Sequence, residues 1–144
     1  MTVIRPAIAL AALAALTCLP LLIGRSEAGS RPAAVSKVKG AVLQNGARLF
    51  VNCASCHTLD ADGEPGVGPN LWSIFGAAAA SKPDFAYSAA LRQSGITWND
   101  VTLDRWLTDP KALVPDNKMA FIGLKSDADR KAVIAYIRLK TTPQ

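Results

Sequence analysis

The 144-residue chain is poor in the side chains that bind metal ions. It contains one histidine, three cysteines and two methionines, and one of the methionines is the initiator. A structural zinc site needs four cysteine or histidine ligands, and Cys18 lies in an apolar N-terminal segment apart from the other cysteines. The composition therefore argues against a structural zinc site.

The sequence also lacks the signals of β structure. It has no convincing alternation of apolar and polar residues, no hairpin signal and no internal repeat, so we predict an all-α fold. The formal net charge is +5, but no basic cluster interleaved with aromatic residues is present. This argues against nucleic acid as a partner.

One short motif carries the clearest chemistry. Residues 53–57 read Cys-Ala-Ser-Cys-His, the pattern for covalent attachment of a c-type haem. Thiols at Cys53 and Cys56 can reach both vinyl groups of one porphyrin, and His57 follows beneath the iron. A thioredoxin-like dithiol pair is the main alternative, but the flanking sequence does not predict the strand that precedes such a pair. Since His57 is the only histidine, a second histidine ligand would have to come from another molecule.

Met119 is the candidate for the other axial ligand. A lone methionine more often fills a gap in a core. This one, however, lies in a polar stretch interrupted by Pro115, which suits an irregular loop over a cofactor better than a helix. We therefore predict a six-coordinate iron with His57 and Met119 as axial ligands. A thioether ligand favours ferrous iron and raises the reduction potential.

These ligands predict a one-electron carrier that is not an enzyme, because two filled axial positions leave no open site for oxygen, peroxide or substrate. The alternative is a haem peroxidase or gas-binding protein in which the sixth ligand is displaced. Against it, the chain offers no distal histidine or arginine placed to help cleave peroxide. A carrier that accepts electrons from one dedicated dehydrogenase is a third alternative.

The segment from about residue 40 to residue 140 resembles the class I cytochromes c, in particular the mitochondrial type and its short bacterial relatives. The matching residues are Gly46, Phe50, the 53–57 motif, Gly68-Pro69-Asn70-Leu71, Phe75-Gly76, Tyr87, Trp98, Leu103, Trp106-Leu107, Asp109-Pro110-Lys111, Pro115, Lys118-Met119, Phe121 and Ile134-Ala135-Tyr136. The resemblance implies crossed N- and C-terminal helices, with shorter helices and loops around one covalently bound haem. A domain near 100 residues is small for a self-sufficient core, and a porphyrin would supply its apolar centre.

The resemblance also implies roles around the haem. The Pro69 carbonyl accepts from the ring N–H of His57, Tyr87 and Trp98 donate to a buried propionate, and Phe121 shields the haem edge. Plain core packing is the alternative for Tyr87 and Trp98.

Four positions depart from the family pattern. Ala77 replaces an arginine near the propionates, Leu91 an asparagine beside the methionine ligand, and Trp106 a tyrosine facing the haem. Asn117 replaces a threonine and is expected to donate to a propionate in its place. These changes put the potential in doubt but not the ligation.

Periodicity and capping residues predict four helices. An apolar stripe from residue 42 to residue 53 indicates a helix, and the resemblance implies that small Gly46 lets it cross the last helix closely. A brief helix is expected to open at Tyr87-Ser88 and to stop at Gly95. Another, capped by Asn99 or Asp100, is expected over residues 101–108 and is closed by Asp109-Pro110. The last begins near Ser126 and runs to about Leu139.

Residues 1–28 resemble a secretory signal peptide that is cleaved after Ala28, with an uncleaved membrane anchor as the alternative. Residues 29–39 are expected to be a flexible lead-in, and residues 40–144 the cytochrome c domain. Because haem attachment in the resembled families is completed outside the bacterial cytoplasm, we expect a periplasmic protein.

Without residues 1–28, 14 basic and 10 acidic residues remain. A basic face that includes Lys111, Lys118 and Lys125 would steer a monomer towards acidic redox proteins, although any one of these lysines could equally be ordinary solvated surface. The resemblance implies a membrane quinol-cytochrome oxidoreductase as donor. It implies a terminal oxidase or a photosynthetic reaction centre as acceptor. A periplasmic dehydrogenase is the partner in the third alternative.

Overall fold

The computed structural model describes residue 2 and residues 31–142, which form helices joined by irregular loops. The helices are α1 (Arg31–Ala54), α2 (Ala89–Gln93), α3 (Asp100–Thr108), α4 (Pro110–Leu113) and α5 (Asp127–Thr141). Within this part of the chain, the only β pairing is an antiparallel bridge between Ala78 and Thr97. The predicted all-α class is confirmed. Apart from residue 2, the predicted signal peptide lies outside the described residues.

α1 and α5 pack closely where Gly46 lies against α5. A Cβ atom built on Gly46 would lie 2.8 Å from both the carbonyl carbon of Ala132 and the Cβ of Tyr136. Such distances are shorter than real contacts, so only glycine fits. Beside this point the rings of Phe50 and Tyr136 lie 5.6 Å apart between centroids. The close helix crossing implied by the sequence is therefore present.

α1 begins earlier than the sequence predicted. Residues 31–39 continue the helix, so the irregular lead-in expected there is wrong for these residues, and the expected domain boundary at residue 40 falls inside α1. Pro32 had suggested irregular chain, but proline is tolerated in the first turn of a helix because its missing N–H would have no partner there. Val35 and Val38 have the spacing of one helix face, but both are exposed, so the start of α1 does not bury them in the core.

The shorter helices begin at the predicted capping residues. The Ser88 hydroxyl accepts from the backbone N–H of Leu91 at 3.1 Å, and Asn99 forms a reciprocal capping box with Thr102. Ser126 begins α5 in the same way. These side chains satisfy backbone donors that have no partner within the first turn.

The sequence missed α4. Asp109-Pro110 was interpreted as a stop, yet the Asp109 carboxylate accepts from the backbone N–H groups of Lys111 and Ala112 at 3.1 and 3.0 Å. Pro110 occupies the first turn of α4. One dipeptide thus ends α3 and begins α4, and this brings the chain to the loop that contains Met119.

Candidate haem-binding site

A cavity of about 250 Å³ is lined by residues from α1, α2, α3, α5 and the loops between them. It is larger than the engineered cavity of roughly 150 Å³ that accepts one benzene ring. The lining includes all the site residues that the sequence predicted: Cys53, Cys56, His57, Pro69, Tyr87, Trp98, Trp106, Asn117, Met119 and Phe121. Most of the other lining side chains are apolar.

The end of α1 places the two thiols. The backbone N–H groups of Cys56 and His57 both donate to the Cys53 carbonyl, at 3.0 and 2.9 Å. This final turn carries Cys53 and Cys56 to the same cavity, where both are free, half-buried thiols. Burial raises the pKa of Cys53, and the neighbouring Cys56 raises it further.

The imidazole of His57 is oriented by the chain that follows it. Its Nδ1 lies 2.8 Å from the Pro69 carbonyl oxygen, and since a carbonyl can only accept, Nδ1 carries the proton. Nε2 therefore keeps its lone pair. Burial lowers the pKa of His57, although the Pro69 hydrogen bond opposes that shift, and the neutral ring is the form that binds a metal. The structure thus contains the hydrogen bond implied by the family resemblance.

Gly68 gives this ring its space, a role that the sequence did not indicate. A Cβ at Gly68 would lie 2.8 Å from both ring nitrogens of His57. Asn70 closes the same loop, because its amide donates to the Thr58 hydroxyl and to the Asp60 carbonyl, each at 2.9 Å. We call residues 53–71 the imidazole segment.

Met119 is placed by a side chain two residues before it. The Asn117 amide donates to the carbonyls of Pro110 and Val114 at 2.9 and 2.8 Å, and its oxygen accepts from the Met119 backbone N–H at 2.9 Å. Both Asn117 amide hydrogens therefore have partners within the chain, and the expected donation to a propionate stays a prediction. Asn117 orders the chain around Met119. We call residues 114–125 the methionine segment.

The aromatic side chains meet at the cavity wall. Trp98 and Trp106 are each 7% exposed, and their rings lie 5.4 Å apart in an edge-to-face arrangement. Trp98 is fixed by backbone hydrogen bonds to Gly76 and Ala77 at 2.7 and 2.9 Å. Burial raises the pKa of Tyr87, so its phenol stays protonated and able to donate.

The positions that depart from the family pattern also line the cavity. Ala77 and Leu91 present apolar side chains there. They provide neither the charge nor the amide that the family pattern has at these two places.

Two thiols, one neutral imidazole and one thioether around an apolar cavity fit a covalently attached haem, so the fold and the site define a helical haem protein. The family model "Cytochrome c" matches residues 43–140. The cytochrome c2 of Rhodomicrobium vannielii is 46% identical over 92 residues, which cover 64% of this chain and 74% of the relative.

Two further relatives agree. The cytochrome c of Gibberella zeae is 43% identical over 103 residues, covering 71% of this chain and 97% of the relative. The cytochrome c2 iso-2 of Magnetospirillum fulvum is 45% identical over 89 residues, covering 62% and 92%. The chain belongs to the cytochrome c family. It is an electron carrier with one covalently bound c-type haem and not an enzyme.

Proposed function

We propose that Nε2 of His57 and the sulfur of Met119 are the two axial ligands of the haem iron, and that Cys53 and Cys56 hold the haem through thioether bonds. The observation that carries this proposal is that these four side chains line one apolar cavity. When bound, the haem supplies a one-electron couple between ferric and ferrous iron. The protein's part is to hold, orient and enclose that group.

The remaining lining residues act by orientation and by exclusion of water. The Pro69 carbonyl fixes the plane of the His57 ring and leaves Nε2 free to bind. Phe121 is half-buried against the core cluster and lines the cavity, where it can shield the haem edge from water. Trp98 and Tyr87 can donate to a propionate, which is costly to bury without a partner.

The ligand proposal is tested by Met119→Ala, with Ile122→Ala as the matched control. Ile122 lies in the same loop and is 88% exposed, so its truncation shortens an apolar side chain without touching the cavity. In Met119→Ala we expect the weak long-wavelength sulfur-to-iron absorption band to disappear, the potential to fall and carbon monoxide to bind the ferrous protein. Ile122→Ala should behave as wild type. A band that persists in Met119→Ala would show that another side chain is the sixth ligand.

We also propose that a basic face near Lys118 docks with acidic redox partners, namely a quinol-cytochrome oxidoreductase as donor and an oxidase or reaction centre as acceptor. A dedicated dehydrogenase is the alternative donor. Lys111 and Lys125 are also exposed, and they lie on either side of Lys118 in the sequence. The Lys118 ammonium donates to the Ala86 carbonyl at 3.3 Å, which places its charge beside the Tyr87 loop.

The double variant Lys111→Gln/Lys125→Gln should slow association with an acidic redox partner severalfold at low salt and little at high salt, because exposed charges are screened. A matched double variant, Lys37→Gln/Lys39→Gln, removes the same charge from the exposed start of α1 and should have a smaller effect. If association slows equally in both double variants, the lysines near the methionine segment have no special part in docking.

We further propose that the protein is exported to the periplasm and loses residues 1–28. None of the helices in the described part of the chain is long and apolar enough to cross a membrane. The mass of the exported protein tests this proposal, because cleavage after Ala28 predicts Gly29 at the N-terminus. A mass that includes Met1 would support the anchored alternative.

A further inference from the structure

Arg130, in the first turns of α5, uses all five of its guanidinium N–H groups. Nη1 donates to the Leu124 and Lys125 carbonyls at 3.0 and 3.1 Å. Nε and Nη2 donate to the two Asp104 oxygens at 2.8 and 3.5 Å, and Nη2 also reaches Asp127 at 3.2 Å. Since a guanidinium has five donors in a fixed fork, its hydrogen-bonding capacity is filled.

Two of these acceptors belong to the methionine segment, and Asp104 belongs to α3. The Arg130 side chain is only 10% exposed, and that of Asp104 is 33% exposed. α3 also contributes Trp106 to the cavity. Arg130 therefore joins three parts of the site: α5, α3 and the end of the segment that contains Met119.

The chain at this end is also packed tightly against α3. The Leu124 backbone N–H donates to the Leu107 carbonyl at 2.7 Å. Gly123 has a φ of +91°, and a Cβ there would lie 2.7 Å from the carbonyl carbon of Thr108. By contrast, Ala120 and Ile122 are exposed. The segment between Met119 and Gly123 is thus held by the Asn117 bond at its start, by half-buried Phe121 and by the bonds to α3 and α5 at its end.

We propose that Arg130 is a positioning residue that clamps the C-terminal end of the methionine segment and so determines how readily Met119 leaves the iron. The inference rests on the proposed role of Met119 as axial ligand. An external ligand reaches ferric iron only when this segment opens. The clamp therefore keeps external ligands away from the iron, so that the protein acts only as an electron carrier.

α5 offers a matched control in Arg138. Its guanidinium pairs with Asp100 on α3 at 2.7 Å and lies 3.8 Å above the centre of the Phe75 ring. Both arginines thus join α5 to α3. Of these two arginines, however, only Arg130 has a hydrogen bond to the methionine segment in the described part of the chain. Lysine at either position keeps the charge and loses the planar fork.

The test compares Arg130→Lys with Arg138→Lys in the haem-containing protein. We measure the rate at which imidazole binds the ferric form and the hydrogen exchange of backbone amides in residues 118–125. Arg130→Lys should raise both rates roughly tenfold relative to Arg138→Lys, the size expected when one charged hydrogen bond is lost. Equal rates in the two variants would overturn the proposal.

Asp104→Asn serves as a second variant, because it weakens the pair while keeping the size of the side chain and the Arg130 bonds to the two carbonyls. It should raise both rates by a smaller factor than Arg130→Lys does. If neither rate changes, the result contradicts the proposed clamp. A wild-type protein without the sulfur-to-iron band would defeat the ligand proposal. The exchange rates would then still decide whether Arg130 holds the segment.

Discussion

The imidazole segment and the methionine segment line the same cavity but are held in different ways. The imidazole segment is held by backbone hydrogen bonds between its own residues. The N–H of Gly68 donates to the Cys56 carbonyl at 2.8 Å, and that of Leu71 donates to the Thr58 carbonyl at 2.9 Å. This segment therefore closes on itself.

The methionine segment depends on its neighbours. Asn117 bonds the carbonyl of Pro110 in α4, and the far end is held by Leu107 of α3 and by Arg130 of α5. The imidazole is thus fixed by bonds within its own segment, whereas the thioether is fixed largely by bonds between its segment and the neighbouring helices. We expect the imidazole to be the permanent ligand and the thioether to be the one whose hold can be adjusted.

The largest effect should follow from a change that moves the helix supporting the imidazole segment. Gly46→Ala places a methyl group against the Ala132 carbonyl and should lower the free energy of unfolding by about 3 kcal/mol, at the upper end for overpacking. Gly40→Ala is the control, because it lies in the same helix with nothing within 4 Å. It should be neutral or stabilise by up to about 1 kcal/mol, the usual preference for alanine in a helix.

Denaturant unfolding of both haem-containing variants measures these free energies. Opposite signs are the expected result. If Gly46→Ala were as stable as Gly40→Ala, the close crossing of α1 and α5 would not contribute to stability as we expect.

Much of this architecture is predictable from short patterns. The 53–57 motif identifies the cofactor because two thiols and an imidazole must follow one another at fixed spacing. Ser88, Asn99 and Ser126 identify helix starts because a capping side chain acts on backbone only three residues away. Patterns of this kind depend on neighbours in sequence, and the sequence displays those neighbours.

The rest depends on partners that meet only in the folded chain. The bonds of Asn117 within the chain were not expected, because α4, which was not predicted, brings the Pro110 carbonyl to its amide. Asp104 and Arg130 belong to separate helices, and no local pattern pairs them. The start of α1 was missed for another reason, because Pro32 was taken as a sign of irregular chain, whereas proline is tolerated in the first turn of a helix.

A smaller effect is expected from a change within the imidazole segment itself. Gly68→Ala would put a methyl group closer to both His57 ring nitrogens than the 3.4 Å at which ordinary contacts begin. We expect a loss of about 2 kcal/mol in unfolding free energy, as is typical of overpacking, together with altered hyperfine-shifted NMR signals of the ligand imidazole.

Gly66→Ala is the graded control, since the nearest atom to its added methyl group would be the Cys56 carbonyl oxygen at 3.1 Å. It should cost less and leave the imidazole signals in place. Unchanged imidazole signals in Gly68→Ala would mean that the added methyl group does not displace the His57 ring.

The smallest global effect should come from the methionine segment, where the local effect should be largest. Asn117→Ala removes the bonds to the Pro110 and Val114 carbonyls and to the Met119 N–H. The global cost should be about 1–2 kcal/mol, because water can reach the freed groups once the segment opens.

Imidazole binding to the ferric protein should accelerate more than this global loss accounts for, because local opening is enough to release Met119. Asn99→Ala is the control, since it removes an exposed cap worth about 1 kcal/mol on α3 and leaves the methionine segment bonded. Unfolding midpoints and imidazole binding rates, measured on the same samples, separate the two effects. If the imidazole binding rate rises in both variants in the same proportion to the loss of unfolding free energy, the methionine segment opens only when the whole domain unfolds. The imidazole and methionine segments would then not differ in how they are held.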